Sequence, residues 1–312
     1  MVTLKDEINS NRGNYDICIL LSHLGMDDDM IIASEFEEID IIIGGHFHIL
    51  MEEPEIISGT IIFTSGSLGE NLGMLNVEVK DNRVQLIEGA NIDVTMSEPC
   101  EDIIDIVKKN KEKAIGKLSL PFCSIDRDLF HDLVEENPMT NLLADGLREL
   151  LQCEVAIINS GVINGGIRRG SVSEKKIIEL CPSPLNPTTF KIEGKYIWEA
   201  LQNSLDTDYC YADGKGPGFR GKYVGRLHIS NGIIEHDGRK ISSIYINGEK
   251  LIDDKWYTIA SSDYLQRGSG YPSFINNKDV EYDYGYIRDV IREYVAKEEC
   301  VEKAFVDRWI LN

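Results

Sequence analysis

No apolar run in this 312-residue chain approaches the roughly eighteen residues that a membrane-spanning helix needs, so no membrane span is expected. The start, Met1-Val-Thr-Leu-Lys-Asp-Glu7, has no apolar signal core and reads as a surface helix instead. Positive charge is scarce. Thirty-two Lys and Arg face 53 Asp and Glu, for a formal charge of −21. That argues against a nucleic-acid polymer or an anionic membrane surface as partner. It also means that an anionic substrate must be drawn in by local positive charge or metal. No C-x-x-C and no zinc-finger spacing occurs among the seven cysteines, Cys18, Cys100, Cys123, Cys153, Cys181, Cys210 and Cys300. An odd, scattered set suggests reduced thiols and a cytoplasmic protein. Repeats and low-complexity tracts are absent. What remains, 42% hydrophobic and 27% charged residues, is ordinary globular material, and the length suggests two domains.

The most informative stretch runs from Ile17 to His48. Ile17-Cys-Ile-Leu-Leu21 leads into Ser22-His23-Leu24-Gly25, and Asp40-Ile-Ile-Ile43 into Gly44-Gly45-His46-Phe47-His48. Both runs are too short for a buried helix and read as buried strands. Ligand-binding residues of open α/β sheets lie just beyond the carboxyl ends of strands. His23, His46 and His48 are therefore expected on one rim, and neutral imidazole is the commonest protein metal ligand. Between them Asp27 to Phe36 reads as a helix whose acids Asp27, Asp28 and Asp29 suit its N-cap and first turn.

These motifs resemble the second half of the calcineurin-like metallophosphoesterase domain in the 5'-nucleotidase and UDP-sugar hydrolase family. The resemblance implies an α/β (α+β) fold. It would be the C-terminal half of a metallophosphoesterase α/β/β/α sandwich, followed by a 5'-nucleotidase-type C-terminal mixed α/β domain. By position in the family's Ser-His-x-Gly and Gly-His-x-His motifs, His23 and His46 would bind one metal and His48 the other. The intact family site holds two divalent metals (Mn, Zn, Mg or Ca). The family's earlier Asp-x-His, bridging aspartate and Asn-His pair have no match in this sequence. Two metals about 3.5–4 Å apart need more donors than three histidines supply, so no catalytic residue is assigned within the chain. The remnant domain would also expose apolar surface and favour self-association.

The boundaries expected are a partial metallophosphoesterase domain over 1–96, a linker helix over 97–117, and a substrate domain over 118–312. Glu101 to Ala114 reads as the amphipathic linker. Asn137-Pro138 opens a helix with cap and N1 proline in order. Strands are read at Val155–Ile158, Thr188–Ile192, near Leu227 and Ile244, and over Trp256–Tyr264. Asn247-Gly248 reads as a primed hairpin turn, and Tyr284 to Glu298 as a last helix.

The order helix, strand and Asn159-Ser-Gly-Val-Ile-Asn164 resembles the family's substrate domain, where Asn-x-Gly-Gly-x-Arg meets phosphate. Asn164 stands at the arginine position. The family's first stacking ring is lost, since Ser183 follows Pro182; Gly268-Ser-Gly-Tyr271 resembles the Gly-Gly-Asp-Gly-Phe of its second. Asn277 falls near the ribose-binding aspartate. Arg168, with Arg169 beside it, and Arg220 in the glycine loop Gly214 to Gly221 are further candidates for phosphate. The function implied is metal-dependent phosphoric ester hydrolysis of 5'-nucleotidase type on a small phosphate ester such as a nucleotide, with this chain inactive alone. The alternatives are a non-catalytic nucleotide-binding or interaction module, and half of a site completed by another chain.

Overall fold

The computed structural model describes residues 2–80, 83–216 and 218–312. The fold is mixed α/β, and the chain divides into two compact units, Met1–Asp105 and Ile106–Asn312. No helix among the described residues is long and apolar enough to cross a membrane.

In the first unit, helix α1 (Val2–Asn11) precedes β1 (Ile19–Leu21), α2 (Met26–Glu35), β2 (Ile41–Ile43), β3 (Glu55–Ile57) and β4 (Thr60–Phe63). The sheet order is β1-β2-β4-β3, with β1, β2 and β4 parallel and β3 antiparallel to β4. Ile8, Ile32, Ala33, Phe36, Ile39, Ile42 and Ile62 form one core between the helices and the sheet. The long hairpin β5 (Asn71–Lys80) and β6 (Arg83–Asp93) follows.

The first apolar run departs from expectation. Only Ile19–Leu21 is strand, and it is not buried: Ile19 is 55% and Leu21 80% exposed. The cause is position, because β1 is the edge of its sheet and has a neighbour on one side only.

Helix α3 (Glu101–Leu118) runs across the division between the units and buries none of its residues. The second unit contains β7 (Pro121–Ile125), α4 (Pro138–Leu150), β8 (Val155–Asn159), β9 (Gly170–Ser173), α5 (Glu174–Leu180) and β10 (Pro187–Glu193). Then come α6 (Gly194–Asn203), α7 (Thr207–Cys210), β11 (Leu227–Ser230), β12 (Gly232–His236), β13 (Ile241–Ile246), β14 (Glu249–Lys250) and β15 (Trp256–Ser262). The chain continues through α8 (Asp263–Gln266), β16 (Asn277–Tyr282), α9 (Ile287–Tyr294), α10 (Glu298–Lys303) and β17 (Trp309–Leu311). Its main sheet has the order β11-β8-β15-β10-β16, parallel only between β8 and β15.

Helix α4 shows how local chemistry sets these elements. Asn137 is extended, its side chain accepts from the Thr140 amide at 2.9 Å, and Pro138 occupies the first turn, where a missing N–H costs nothing. Met139, Leu142, Leu143 and Leu147 are then fully buried against the sheet, while Leu150 turns outward, 42% exposed. The expected last helix, Tyr284 to Glu298, is shorter, α9 over Ile287–Tyr294; a separate short helix, α10, begins at Glu298, and the chain returns to strand at Trp309. Asn247 and Gly248 both have positive φ, 53° and 76°, as a primed turn requires.

Candidate functional site

His23 and His46 leave the carboxyl ends of neighbouring parallel strands. The pairing of Leu21 with Ile43 puts the two departing segments side by side, and the Ser22 amide donates to the Ile43 carbonyl at 2.9 Å. The two imidazoles meet edge to face, centroids 5.1 Å apart, and Phe47 packs on the His46 ring at 4.7 Å. His46 and His48 both hold left-handed backbone, φ 72° and 57°, a strained choice for a residue with a side chain. Gly25 permits the close seat of Phe47, because an added methyl there would lie 2.4 Å from the ring.

His48 does not join the pair as a third donor. Among the described residues no group of three or more His, Cys, Asp or Glu could hold a metal ion. Two convergent imidazoles fit two positions of a tetrahedral or octahedral shell, and they fall short of closing one.

The structure also shows what the sequence pattern did not. Asp29 is fully buried, and it neither caps α2 (the N-cap is Gly25) nor points to water. One of its carboxylate oxygens takes the hydroxyl of Ser22; the other, Oδ2, is buried with no hydrogen-bond partner. Gly44 is the only residue type that fits beside it, because an added methyl would sit 2.7 Å from Oδ2 and 2.8 Å from Thr64 Cγ2. The signal available in sequence was the serine adjoining His23 and an acid in the helix that follows.

In the second unit, the candidate residues separate. Asn159 is fully buried; its amide donates to the Val224 carbonyl at 2.6 Å, and its Oδ1 is left without a partner. Tyr271 is fully buried too, and its hydroxyl donates to the adjacent Gly225 carbonyl at 2.7 Å. Its ring lies against Tyr209 (5.2 Å) and Phe274 (6.5 Å), and burial pushes the phenol well above its ordinary value. This corrects the reading of Tyr271 as a stacking platform, since no face of the ring is open to a ligand. Asn277 is half-buried. Its amide donates to the Gln266 and Phe274 carbonyls, and its oxygen accepts from Gln266 Nε2 at 3.1 Å, so it ties loops together.

Asn164 and Arg168 are exposed, and the Asn164 amide donates to the Leu180 carbonyl at 2.7 Å. Arg220 is exposed, its amide donating to Ser183 Oγ at 2.8 Å, and its guanidinium turns back to the Phe219 carbonyl at 3.1 Å. In the same loop, Phe219 stacks on Tyr264 at 4.5 Å. An open groove of about 390 Å³, lined among others by Asp145, Arg148, Ser230, Lys303 and Arg308, holds none of the candidate residues.

Residues 114–275 match the family described as 5'-nucleotidase, C-terminal domain. The chain is 28% identical over 304 residues to the uncharacterized metallophosphoesterase YunD of Bacillus subtilis, covering 94% of this chain and 65% of that protein. It is 26% identical over 290 residues to the trifunctional nucleotide phosphoesterase protein YfkN of the same organism, covering 86% of this chain and 19% of that one. It thus spans less than two thirds of either relative. In fold it resembles the NAD nucleotidase of Haemophilus influenzae, with a TM-score of 0.57 at 14% identity over 99% of this chain and 67% of that one.

Proposed function

The chain belongs to the 5'-nucleotidase C-terminal domain family, and from that premise we propose that it is part of a metal-dependent phosphoric ester hydrolase acting on a nucleotide or related small phosphate ester. The observation that carries this reading is the pair His23 and His46, rings 5.1 Å apart beyond the ends of parallel strands β1 and β2. These two would hold one divalent ion, which when bound supplies positive charge to a phosphate and lowers the pKa of water. The chain's own residues do the positioning. The strand register sets the separation of the imidazoles, and the strained backbone at His46 fixes which way its ring faces.

The remaining donors lie outside this chain, either in a further segment of a longer protein or in another polypeptide. The share of YunD covered, 65%, supports that arrangement. On this account the chain alone does not turn substrate over. The seven free cysteines support a reducing, cytoplasmic setting. A second reading, a non-catalytic interaction module, draws on the absence of any three-donor group among the described residues.

The test uses the full chain. With Mn²⁺ or Zn²⁺ added, it is expected to hydrolyse p-nitrophenyl phosphate no faster than His46→Ala. Zn²⁺ binding seen by calorimetry should weaken in both His23→Ala and His46→Ala. Robust turnover that His46→Ala abolishes would overturn the inactivity. Zn²⁺ binding equal in all three proteins would remove the metal pair and leave the interaction module.

A further inference from the structure

The group in the first unit that remains without a role is the buried carboxylate of Asp29. An acid taken out of water is expensive unless its oxygens are satisfied, and here only one of the two is. Its surroundings explain where it acts. Oδ1 takes the Ser22 hydroxyl, and Ser22 Oγ in turn takes the Leu24 amide at 3.3 Å. The two residues flanking His23 are thus tied to each other and, through Ser22, to α2. The Asp29 amide donates to the Gly25 carbonyl at 3.0 Å, which closes the same short segment onto the helix. Oδ2 lies in the space that any side chain at Gly44 would need, two residues before His46. The Gly44 amide donates to the Phe63 carbonyl at 3.0 Å, so the second loop is held to β4 on its other side.

We propose that Asp29 is the positioning residue of the histidine pair, a buried carboxylate set between the Ser22–His23 and Gly44–His46 segments that fixes the approach of the two imidazoles. It reaches no metal itself, since it forms no donor group with the histidines. It acts through Ser22 on one side and through close packing against Gly44 on the other. The proposal rests on the reading of His23 and His46 as a metal-holding pair, and its primary test needs no metal.

In the full chain without metal, nuclear Overhauser contacts between the His23 and His46 ring protons report the pairing directly. Ser22→Ala and Asp29→Ala should lose these contacts, while the methyl resonances of Ile32, Ile42 and Ile62 in the same core stay in place. Ser22→Thr, which restores the hydroxyl, should keep them. With Zn²⁺ as the probe, Ser22→Ala is expected to weaken binding about tenfold and Ser22→Thr to recover it, as for other residues that orient ligands. If Asp29→Ala fails to fold, Ser22→Ala decides alone. Ring contacts of full strength in Ser22→Ala would overturn the proposal. A wild-type chain that shows the contacts, loses them in Ser22→Ala and binds no Zn²⁺ would sink the metal reading while leaving the positioning role intact.

Discussion

Tyr271 gives its hydroxyl to the carbonyl of Gly225 at 2.7 Å, one residue beyond the Val224 carbonyl that accepts the Asn159 amide. Two residues expected at a substrate site thus brace successive peptide groups of one segment from inside. Tyr271→Phe leaves the Gly225 carbonyl buried and unpaired, at a cost of about 1–3 kcal/mol. Tyr271→Ala adds a cavity and should cost about 3–5 kcal/mol. Denaturant unfolding measures both. Calorimetry with AMP, run where Tyr271→Ala is still folded, should give the same affinity as for the wild type, and a weakened signal would return the ring to the binding face.

Acid should loosen the second unit. His228 is fully buried, with Nδ1 2.9 Å from Asn141 Oδ1 and Nε2 3.2 Å from Asn137 Nδ2. Asn141 presents an oxygen and Asn137 an amide, so the ring fits as a neutral Nδ1–H tautomer. Burial, followed by the charges of Arg308 and Arg226, holds its pKa well below 6.5. Burial lowers His131 in the same direction. The unfolded chain therefore takes the proton first: stability is full above about pH 6.5 and is lost as the pH falls below it. Melting temperatures between about pH 7 and pH 5 should decline. A flat profile would contradict a neutral buried His228.

Alkali should do the same for an opposite reason. Burial pushes the Cys181 thiol from 9.0 up to about 12, and Cys153 up to about 11. Here the unfolded chain loses its proton first, so stability is full below about pH 9 and falls as the pH climbs through the raised values. Cys181→Ala should flatten that decline in unfolding curves taken across the same range.

Asn137 and Ser173 both cap helices, and they should differ in worth. Asn137 is buried and accepts from both the amide and the hydroxyl of Thr140 at 2.9 Å, whereas Ser173 is partly exposed and accepts from Lys176 at 3.4 Å. Asn137→Ala should cost about 2 kcal/mol and Ser173→Ala about 0.5 kcal/mol, read as shifts in urea midpoint.

At the edge strand, Ile19 and Leu21 are largely exposed. Replacing both with Lys should change stability by less than about 0.5 kcal/mol and should lower self-association in light scattering.

Motif and element were legible where the signal was local. The apolar runs ending in Ser22-His23 and Gly45-His46, and the Asn137-Pro138 cap, carry their structure in adjacent residues. Properties decided by neighbours far along the chain were not legible. Ile19 and Leu21 have the composition of a buried strand, but edge position is a property of the sheet. Tyr271 follows glycines as a surface ring would, yet Tyr209, Phe274 and Gly225 enclose it. The helix expected from Tyr284 to Glu298 has the right periodicity, and it stops at Tyr294 before resuming at Glu298. Asp29 reads as a helix-start acid, and only the fold brings Ser22 and Gly44 against it.

The cysteines offer a final consequence. Cys100 is exposed, whereas Cys153, Cys181, Cys210 and Cys300 are buried, all four within Ile106–Asn312. A thiol-modifying reagent should therefore tag Cys100 at once, reach the half-buried Cys18 and Cys123 next, and reach the four buried thiols only when that part of the chain opens. The slow phase of labelling, followed by mass, becomes a clock for the breathing of one unit, read without any engineered probe.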